Sequence, residues 1–336
     1  MTTLVRSVIL SKFSEVARPL GIDPVRMMRH VGLDQTCFST PDARVPEEAL
    51  AEVLETAALD GNCVPLGLLV GESWRLSDFG ALSLLLQHQP SLRCSLEALR
   101  HYRHLLSDSV FIEVSEQGGV ATVQCVLVTG RGHAGRQPTE LALGVLLSLC
   151  RFHLGPQWTP RGVHFAHAAP PQSQGHRRIL GTRLEFDAEF DGIVLGSQEL
   201  DMPNPLGDVQ MAGYARELLD RLPRHSETCL RDEVRRALHL LLPRGESSLE
   251  RVAASLGTSA RSMQRQLGVT GNSFQDLLNE VRGEHSLRML EAGTYSVARM
   301  SELTGFAETS AFSRWFSRHF GVPPSKWKAP GSEAWP

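Results

Sequence analysis

The segment Ser247–Val269 reads SSLERVAASLGTSARSMQRQLGV and has the pattern of two short helices joined by a tight turn. Ser247 and Glu250 have the spacing of a capping box, which predicts the start of the first helix. Gly257 is expected to end this helix, and Ser259 is a suitable cap for the second one. The apolar residues on one face of the first helix are Leu249, Val252, Ala253 and Leu256.

The second helix of this segment has one apolar and one polar face. Met263 and Leu267 are four residues apart and are expected to point inward. Arg261, Gln264 and Arg265 then share the outer face. Arginine can bond guanine through two hydrogen bonds in the major groove, and glutamine can bond adenine in the same way. The segment is therefore predicted to be a helix-turn-helix unit whose outer face can read bases.

A similar pattern returns about fifty residues later in Ser296–Phe320, which reads SVARMSELTGFAETSAFSRWFSRHF. Ser296 is expected to cap a helix, Gly305 begins the turn, and Ser310 is expected to open the next helix. On that helix Phe312, Trp315 and Phe316 are predicted to point inward, and Arg314 and Arg318 outward. One such unit would be weak evidence, because many helical domains contain a glycine-turned helix pair. Two in tandem with basic outer faces are a much stronger signal.

A long helix is predicted between the two units, from Phe274 to about Leu290, with Ser273 and Asp276 at its start. At 1.5 Å per residue, about 17 residues span about 25 Å. We expect this spacer to hold the two outer faces about one turn of B-DNA apart, ~34 Å.

Length and composition favour a folded chain with two domains. The chain has 336 residues, 42% of them hydrophobic, and a formal net charge of -3. Its N-terminus is a poor secretion signal, and its longest apolar runs are about half the length that a membrane span needs. None of the six cysteines forms a C-x-x-C pair, so reduced, mostly buried thiols in a cytoplasmic protein are expected. We expect no metal site and no cofactor.

The first two-thirds of the chain read as one α+β domain. Leu4–Leu106 has a helical pattern broken by prolines, and Val110–Val128 reads as a hairpin with its turn at Gln117–Gly119. A buried helix is expected over 139–152, followed by short strands. The predicted fold is an α+β N-terminal domain at 1–222, a linker at 223–228, and an all-α C-terminal domain at 229–330 with two helix-turn-helix units joined by a long helix.

These motifs resemble the DNA-binding domain of the AraC/XylS family of bacterial transcription regulators over roughly 229–330. The resemblance includes the closing sequence from Gly321 through Pro324 to Trp327 and Lys328. The spacer helix departs from the family pattern at Gly283, which is expected to destabilise that helix by up to ~1 kcal/mol. The DNA-binding residues that the resemblance and the outer faces imply are Arg261, Gln264, Arg265, Thr309, Ser310, Arg314 and Arg318.

The first domain has a less specific resemblance, over about 15–205, to the arabinose-operon-regulator type of effector and dimerisation domain found in ornithine-utilisation regulators. Phe165, His167 and Pro170 belong to the matching motifs, which consist mostly of packing and turn residues. We interpret His167 as a structural histidine. The candidate ligand-binding residues, chosen because aromatic and polar groups cluster there, are Trp74, His101, Tyr102, Arg103 and His104.

Together these features predict a cytoplasmic, ligand-responsive transcription regulator of the activator type. Its expected partners are double-stranded promoter DNA, RNA polymerase, an unknown small-molecule effector, and a second copy bound through the N-terminal domain. An alternative is a protein-interaction regulator that has lost its DNA affinity. An enzyme is disfavoured, because G-x-S-x-G, P-loop and H-E-x-x-H motifs are absent and no catalytic residue is predicted.

Overall fold

The computed structural model describes residues 3–129, 132–133, 135–181, 183–222, 230–293 and 295–327. The chain divides into two compact units, Met1–Glu227 and Thr228–Pro336. The predicted linker at 223–228 lies outside the described residues, as do Cys229 and Lys328, so the linker's boundaries remain a prediction. In the described ranges, none of the helices has the length and apolar character needed to cross a bilayer.

The first unit is α+β, as predicted. Its helices are α1 (Val8–Ala17), α2 (Pro24–His30), α3 (Glu47–Asp60), α4 (Leu66–Glu72), α5 (Leu82–His88), α6 (Leu92–His101), α7 (Arg136–Leu154), α8 (Gln174–Leu180), α9 (Ser197–Leu200) and α10 (Val209–Asp220). Its strands are β1 (Leu4–Arg6), β2 (Arg44–Pro46), β3 (Val110–Gln117), β4 (Val120–Thr129), β5 (Gly132–His133), β6 (Gly162–His164), β7 (Leu184–Glu185) and β8 (Gly192–Gly196).

The main sheet has the strand order β3-β4-β8-β6-β7, and β5 pairs with β4. The predicted hairpin is confirmed, because β3 and β4 pair antiparallel with Val110 opposite Leu127 and Gln117 opposite Val120. The β6–β7 pair is parallel, whereas β4–β8 and β6–β8 are antiparallel. The predicted buried helix corresponds to α7, which extends further at both ends.

The helical prediction for Leu4–Leu106 was wrong at two places. β1 pairs antiparallel with β2, and this register places Val5 opposite Val45, both of them buried. Three residues are too few for a period-two pattern to be recognised, and the apolar residues of β1 merged with those of α1 in the sequence. Pro46 ends β2, a position that a residue without an N–H group can occupy.

The cysteines that the structure describes form no disulfides with one another. Cys125 and Cys150 are buried, and burial raises the pKa of both thiols to about 12. Cys37, Cys63 and Cys94 are half-buried, so the expectation of mostly buried thiols was only partly correct.

The second unit is helical in the residues described. Its helices are α11 (Leu230–Leu241), α12 (Leu249–Ser255), α13 (Ala260–Val269), α14 (Phe274–Ala292), α15 (Val297–Leu303) and α16 (Thr309–Phe320). The predicted spacer is α14, and its 19 residues span about 28 Å at 1.5 Å per residue.

The second unit has two hydrophobic cores, and α14 contributes to both. Leu277 and Val281 pack with the residues of α11, α12 and α13. Met289, near the other end of α14, packs with the residues of α15 and α16. Each helix-turn-helix therefore has its own apolar core, and α14 is a structural part of each.

Gly283 has a packing role that the sequence did not indicate. A Cβ atom at this position would lie 3.2 Å from Phe320 Cζ and 3.3 Å from His319 Nε2, at the end of α16. The absence of a side chain thus lets α16 approach α14 closely. The expectation that this glycine simply loosens its helix was incomplete, because a larger residue would gain helix propensity but meet α16.

Gly283→Leu is expected to destabilise the second unit by about 1–3 kcal/mol, because the added side chain would force α14 and α16 apart. The matched control is Gly268→Leu on α13, where a Cβ atom has no neighbour within 4 Å. There the gain in helix propensity should leave stability unchanged or slightly raised. Urea unfolding followed by circular dichroism compares the two, and equal midpoints would contradict the packing role of Gly283.

Candidate nucleic-acid interface

The first helix-turn-helix consists of α12, the turn at 256–259 and α13. The Ser248 hydroxyl caps α12 by accepting a hydrogen bond from the Arg251 N–H at 3.2 Å, so the prediction of Ser247 as the cap was wrong by one residue. Two adjacent serines offer the same chemistry, and the helix begins directly after the second. The prediction for α13 is confirmed, since the Ser259 hydroxyl accepts from the Ser262 N–H at 3.2 Å.

The two turns have the same backbone geometry. Gly257 and Gly305 have φ values of 67° and 71°, the left-handed region that favours glycine. The Thr258 N–H donates to the Ala253 carbonyl at 3.0 Å, and the Phe306 N–H donates to the carbonyl five residues before it at 2.9 Å. This is the hydrogen bond of a Schellman motif, which ends a helix and redirects the chain. The repeat seen in the sequence is therefore also a repeat in structure.

The second recognition helix begins one residue earlier than predicted. Glu308 is the N-cap of α16, Thr309 is its first residue, and Ser310 is its second. The Ser310 hydroxyl donates to Glu308 Oε2 at 3.2 Å and does not accept from a backbone N–H as a cap would. Glu308, Thr309 and Ser310 are three consecutive polar residues, so their types alone did not distinguish the cap.

The predicted outer faces are exposed. Counted from the N-caps, Arg265 and Arg314 occupy the same position, six residues into their helices. Of the residues predicted to point inward, Met263, Leu267, Phe312 and Phe316 are fully buried, whereas Trp315 is half-buried. The residues predicted to bind DNA are all exposed, namely Arg261, Gln264, Arg265, Thr309, Ser310, Arg314 and Arg318.

The arginines of the second unit differ in whether a carboxylate is paired with them. Several are paired with carboxylates: Arg231 with Glu280 at 3.0 Å, Arg235 with Glu284 at 2.5 Å, Arg251 with Glu246 at 2.7 Å and Arg299 with Glu302 at 2.8 Å. Arg261, Arg265, Arg314 and Arg318 make no salt bridge with the carboxylates that the structure describes. These four positive charges belong to the two recognition helices. The recognition surface therefore has cationic groups available for an external anion.

Two polar residues of α14 position the second helix-turn-helix. Arg282 Nε donates to the Thr304 carbonyl at 2.9 Å and its Nη2 donates to the Gly305 carbonyl at 3.2 Å. Its guanidinium carbon also lies 4.3 Å from the Phe306 ring centroid, and burial lowers the pKa of Arg282. Asn279 Oδ1 accepts from Trp315 Nε1 at 3.1 Å.

Sequence reasoning missed Asn279 and Arg282, because it treated α14 only as a spacer between the two helix-turn-helix units. They are three residues apart and so lie on one face of the helix, which was the available signal. Through Asn279 and Arg282, α14 contacts both the turn and the recognition helix α16 of the second helix-turn-helix.

The five residues predicted to bind a ligand are not brought to one place. Trp74 lines a cavity of about 110 Å³, whereas His101 and Tyr102 line a separate cleft. The Tyr102 hydroxyl donates to Asp220 Oδ1 at 2.6 Å. The Arg103 guanidinium carbon is 4.7 Å from the ring centroid of Phe111. The His104 carbonyl accepts from Arg44 at 2.7 Å.

His167 lies in a buried cluster in the first unit. Its Nε2 is 3.4 Å from Glu140 Oε1, and the same carboxylate oxygen is 2.9 Å from His176 Nε2. Glu140 and His176 are completely buried, so the cluster belongs to the interior of the unit. This environment fits the structural interpretation of His167.

A helix-turn-helix pair with exposed, unpaired arginines, joined in one chain to a separate α+β unit, is the architecture of a DNA-binding transcription regulator. Residues 21–204 match the family described as "Arabinose-binding domain of AraC transcription regulator, N-term", and residues 234–329 match the family described as "Helix-turn-helix domain". The chain belongs to the AraC family of transcription regulators. It has an N-terminal ligand-binding domain of the AraC type, and its family is one of regulators and not of enzymes.

The relatives found by comparison are also regulators. The chain is 25% identical over 331 residues to the HTH-type transcriptional regulator VirS of Mycobacterium tuberculosis, covering 98% of this chain and 97% of that one. It is 28% identical over 267 residues to the ornithine utilization regulator of Pseudomonas aeruginosa, covering 78% of each. The crystal structure of the transcriptional regulator CdpR from Pseudomonas aeruginosa aligns with a TM-score of 0.41 and 20% identity, covering 92% of this chain and 96% of that one.

Arg282→Met is expected to destabilise the second unit by about 2–3 kcal/mol, because it removes the hydrogen bonds that a charged group makes to two backbone carbonyls. Arg299→Met is the matched control, since it removes an exposed pair with Glu302 and should cost no more than about 0.5 kcal/mol. Urea unfolding measures both. Equal losses would show that Arg282 does not hold the second turn.

Proposed function

We propose that each protomer reads two successive major grooves of promoter DNA with α13 and α16. The observation that carries this proposal is the set of four arginines on the outer faces, Arg261, Arg265, Arg314 and Arg318, which lack carboxylate partners in the described residues while other arginines of the unit are paired. Unpaired surface cations are suited to phosphates and to guanine edges. Because one protomer has two such surfaces, we expect it to occupy two major grooves.

Individual residues have different proposed roles. Arg265 and Arg314 are at equivalent helix positions and are proposed to bond guanine, and Gln264 is proposed to bond adenine. Thr309 and Ser310 would add contacts from the start of α16, with Glu308 beside them favouring a cytosine amino group. Because the two helices carry different side chains, the site bound by one protomer should be asymmetric.

The length of α14 is compatible with this arrangement. Its span of about 28 Å is of the same order as the ~34 Å between successive major grooves on one face of B-DNA. Arg282 and Asn279 of α14 fix the second motif, so the spacing between the two readers is built into a helix.

The alternative of a regulator without DNA affinity is less well supported. Loss of DNA binding would leave four exposed arginines on the recognition helices with no carboxylate partner and no role. A gel shift on the upstream region of the chain's own gene at several salt concentrations separates the two readings. Binding that weakens steeply as salt rises supports DNA recognition.

Further parts of the proposal concern the rest of the chain. We propose domains at 1–222 and 229–330 with a linker at 223–228, a division supported by the two compact units. Action in the cytoplasm, activation of transcription and contact with RNA polymerase stay predictions from the family resemblance. We also propose ligand contacts by Trp74, His101, Tyr102, Arg103 and His104. Trp74 has the most support, because it lines an apolar cavity and its buried indole nitrogen has no hydrogen-bond partner in the described residues.

Arg265→Ala is expected to cost about 1–3 kcal/mol in binding to a site selected from a random DNA library, with little effect on random duplex, because a base contact carries sequence information. Arg299→Ala is the control, since its guanidinium already pairs with Glu302. Titrations at one salt concentration compare them. Equal losses on both duplexes would show that Arg265 contacts only phosphate.

Arg314→Ala should weaken a different stretch of the methylation-interference pattern from Arg265→Ala. Loss at the same base pairs in both variants would contradict the proposal that α13 and α16 read separate grooves.

We propose that a second copy of the chain binds on α10. This helix packs on α5 and buries Ala212, Ala215 and Leu219, and it exposes Met211, Tyr214 and Leu218 beside that buried face. A row of large apolar side chains along one exposed helix face is typical of an interaction surface. Two copies of the same row can pack against each other around a two-fold axis.

Tyr214→Glu is expected to shift the full-length chain from dimer to monomer in analytical ultracentrifugation, because it places a charge in the apolar row. Val209→Glu is the matched control, since Val209 is also exposed but lies on the far side of α10. If both variants dissociate alike, or neither does, α10 is not the dimer surface.

A further inference from the structure

The cavity that Trp74 lines lies within the first unit. It lies among α1, α3 and α7 and the adjacent strands β3 and β4, and its volume is about 110 Å³. The apolar side chains that form much of its wall include Leu50, Leu54, Ile112, Leu127, Leu141 and Val145. A ligand in this cavity would contact hydrocarbon over most of its surface.

Arg6 and Ser107 at the wall already have partners. Arg6 Nη1 donates to the Asp78 carbonyl at 2.6 Å, and Arg6 Nη2 donates to Asp42 Oδ1 at 2.6 Å. The Ser107 hydroxyl donates to Glu47 Oε1 at 2.5 Å. These groups are held by the protein itself, so they offer little to a ligand with many polar groups.

Trp74 is different, because its indole Nε1 is buried and has no hydrogen-bond partner in the described residues. The side chain is only 9% exposed, and its ring packs edge-on against Phe79 with centroids 5.9 Å apart. An unpaired buried donor is unfavourable, and an acceptor placed in the cavity would relieve that cost.

Glu47 is a second residue at the cavity wall with a buried polar atom that lacks a hydrogen-bond partner in the described part of the chain. Its Oε2 is buried without a hydrogen bond in the described residues. Burial raises the pKa of the Glu47 carboxyl, against the lowering effect of the hydrogen bonds from Ser107 and Ser109. A neutral carboxylic acid can donate to a ligand oxygen, whereas the ionised form would repel an anionic ligand.

We propose that this cavity is the ligand site of the first unit, and that it takes a neutral, largely apolar molecule about the size of one ring with an oxygen acceptor facing Trp74. That a ligand bound here regulates DNA binding rests on the proposed function. A sugar would bury several hydroxyl groups against hydrocarbon without partners, and a zwitterionic amino acid would bury two charges. In another protein, an apolar cavity of about 150 Å³ binds benzene, so a single ring is of the right order of size.

The test uses the full chain and the probe acetophenone, whose carbonyl oxygen can accept from Trp74. Ethylbenzene is the matched probe of similar size without an acceptor, and L-arabinose and L-ornithine are the polar probes. Isothermal titration calorimetry should show one acetophenone per protomer, tighter than ethylbenzene, and no binding of either polar probe. Absence of acetophenone binding, or binding of a polar probe that displaces it, would overturn the proposal.

Two substitutions place the probe in the cavity. Trp74→Phe keeps an aromatic ring but removes the donor, so acetophenone should bind about three- to tenfold more weakly and ethylbenzene unchanged. Ala142→Phe puts a ring into the cavity from α7 and should abolish binding of both. If Ala142→Phe does not fold by circular dichroism, Trp74→Phe alone decides. An unchanged acetophenone affinity in Trp74→Phe would contradict the assigned contact.

DNA binding measured in parallel separates this proposal from the proposed function. A wild-type chain that binds its selected DNA site but not acetophenone overturns only the ligand site. A chain that binds acetophenone but no DNA overturns the proposed function and leaves the cavity assignment intact.

Discussion

The second unit depends on one helix being shared between two cores. α14 packs with α11, α12 and α13 near its start and with α15 and α16 near its end, so neither helix-turn-helix is complete without it. Ion pairs from Arg231 and Arg235 to Glu280 and Glu284 attach α14 to α11, and Arg282 attaches it to the second turn. Glu280, Arg282 and Glu284 of α14 are thus used inside the unit, whereas the arginines on the outer faces of α13 and α16 have no carboxylate partner in the described residues.

Local signals in the second unit were predictable, because capping and turn chemistry acts over a few residues. Gly257, Gly305, Ser259 and Ser273 have the roles that the sequence indicates. The errors at Ser247 and Ser310 arose where neighbouring residues offered the same chemistry. Gly283 was misjudged because its partners on α16 are more than thirty residues away. Side-chain bonds such as Asn279 to Trp315 also join distant positions that helical periodicity does not relate.

The first unit was harder to predict for the same reason. The hairpin was visible, since its strands are long and adjacent in sequence, but β1 and β2 pair across nearly forty residues with three residues each. The cavity is assembled from α1, α3, α7 and the sheet, and Glu47 at its wall has no unusual neighbours in the sequence. Trp74 was selected with residues 101–104, yet folding separates them, because α6 ends at His101 and the following turn directs those residues elsewhere.

Separate cores at the two ends of α14 also bear on how such a protein leaves DNA. If each protomer binds two grooves as proposed, a recognition helix that detaches from one groove stays folded because of its own core, and α14 keeps it close to that groove. Its effective local concentration at that groove stays high, so it rebinds before the other helix is released. Dissociation then proceeds in two steps with frequent reversal of the first. The lifetime of the complex then depends on how rarely both recognition helices are detached from DNA at the same time.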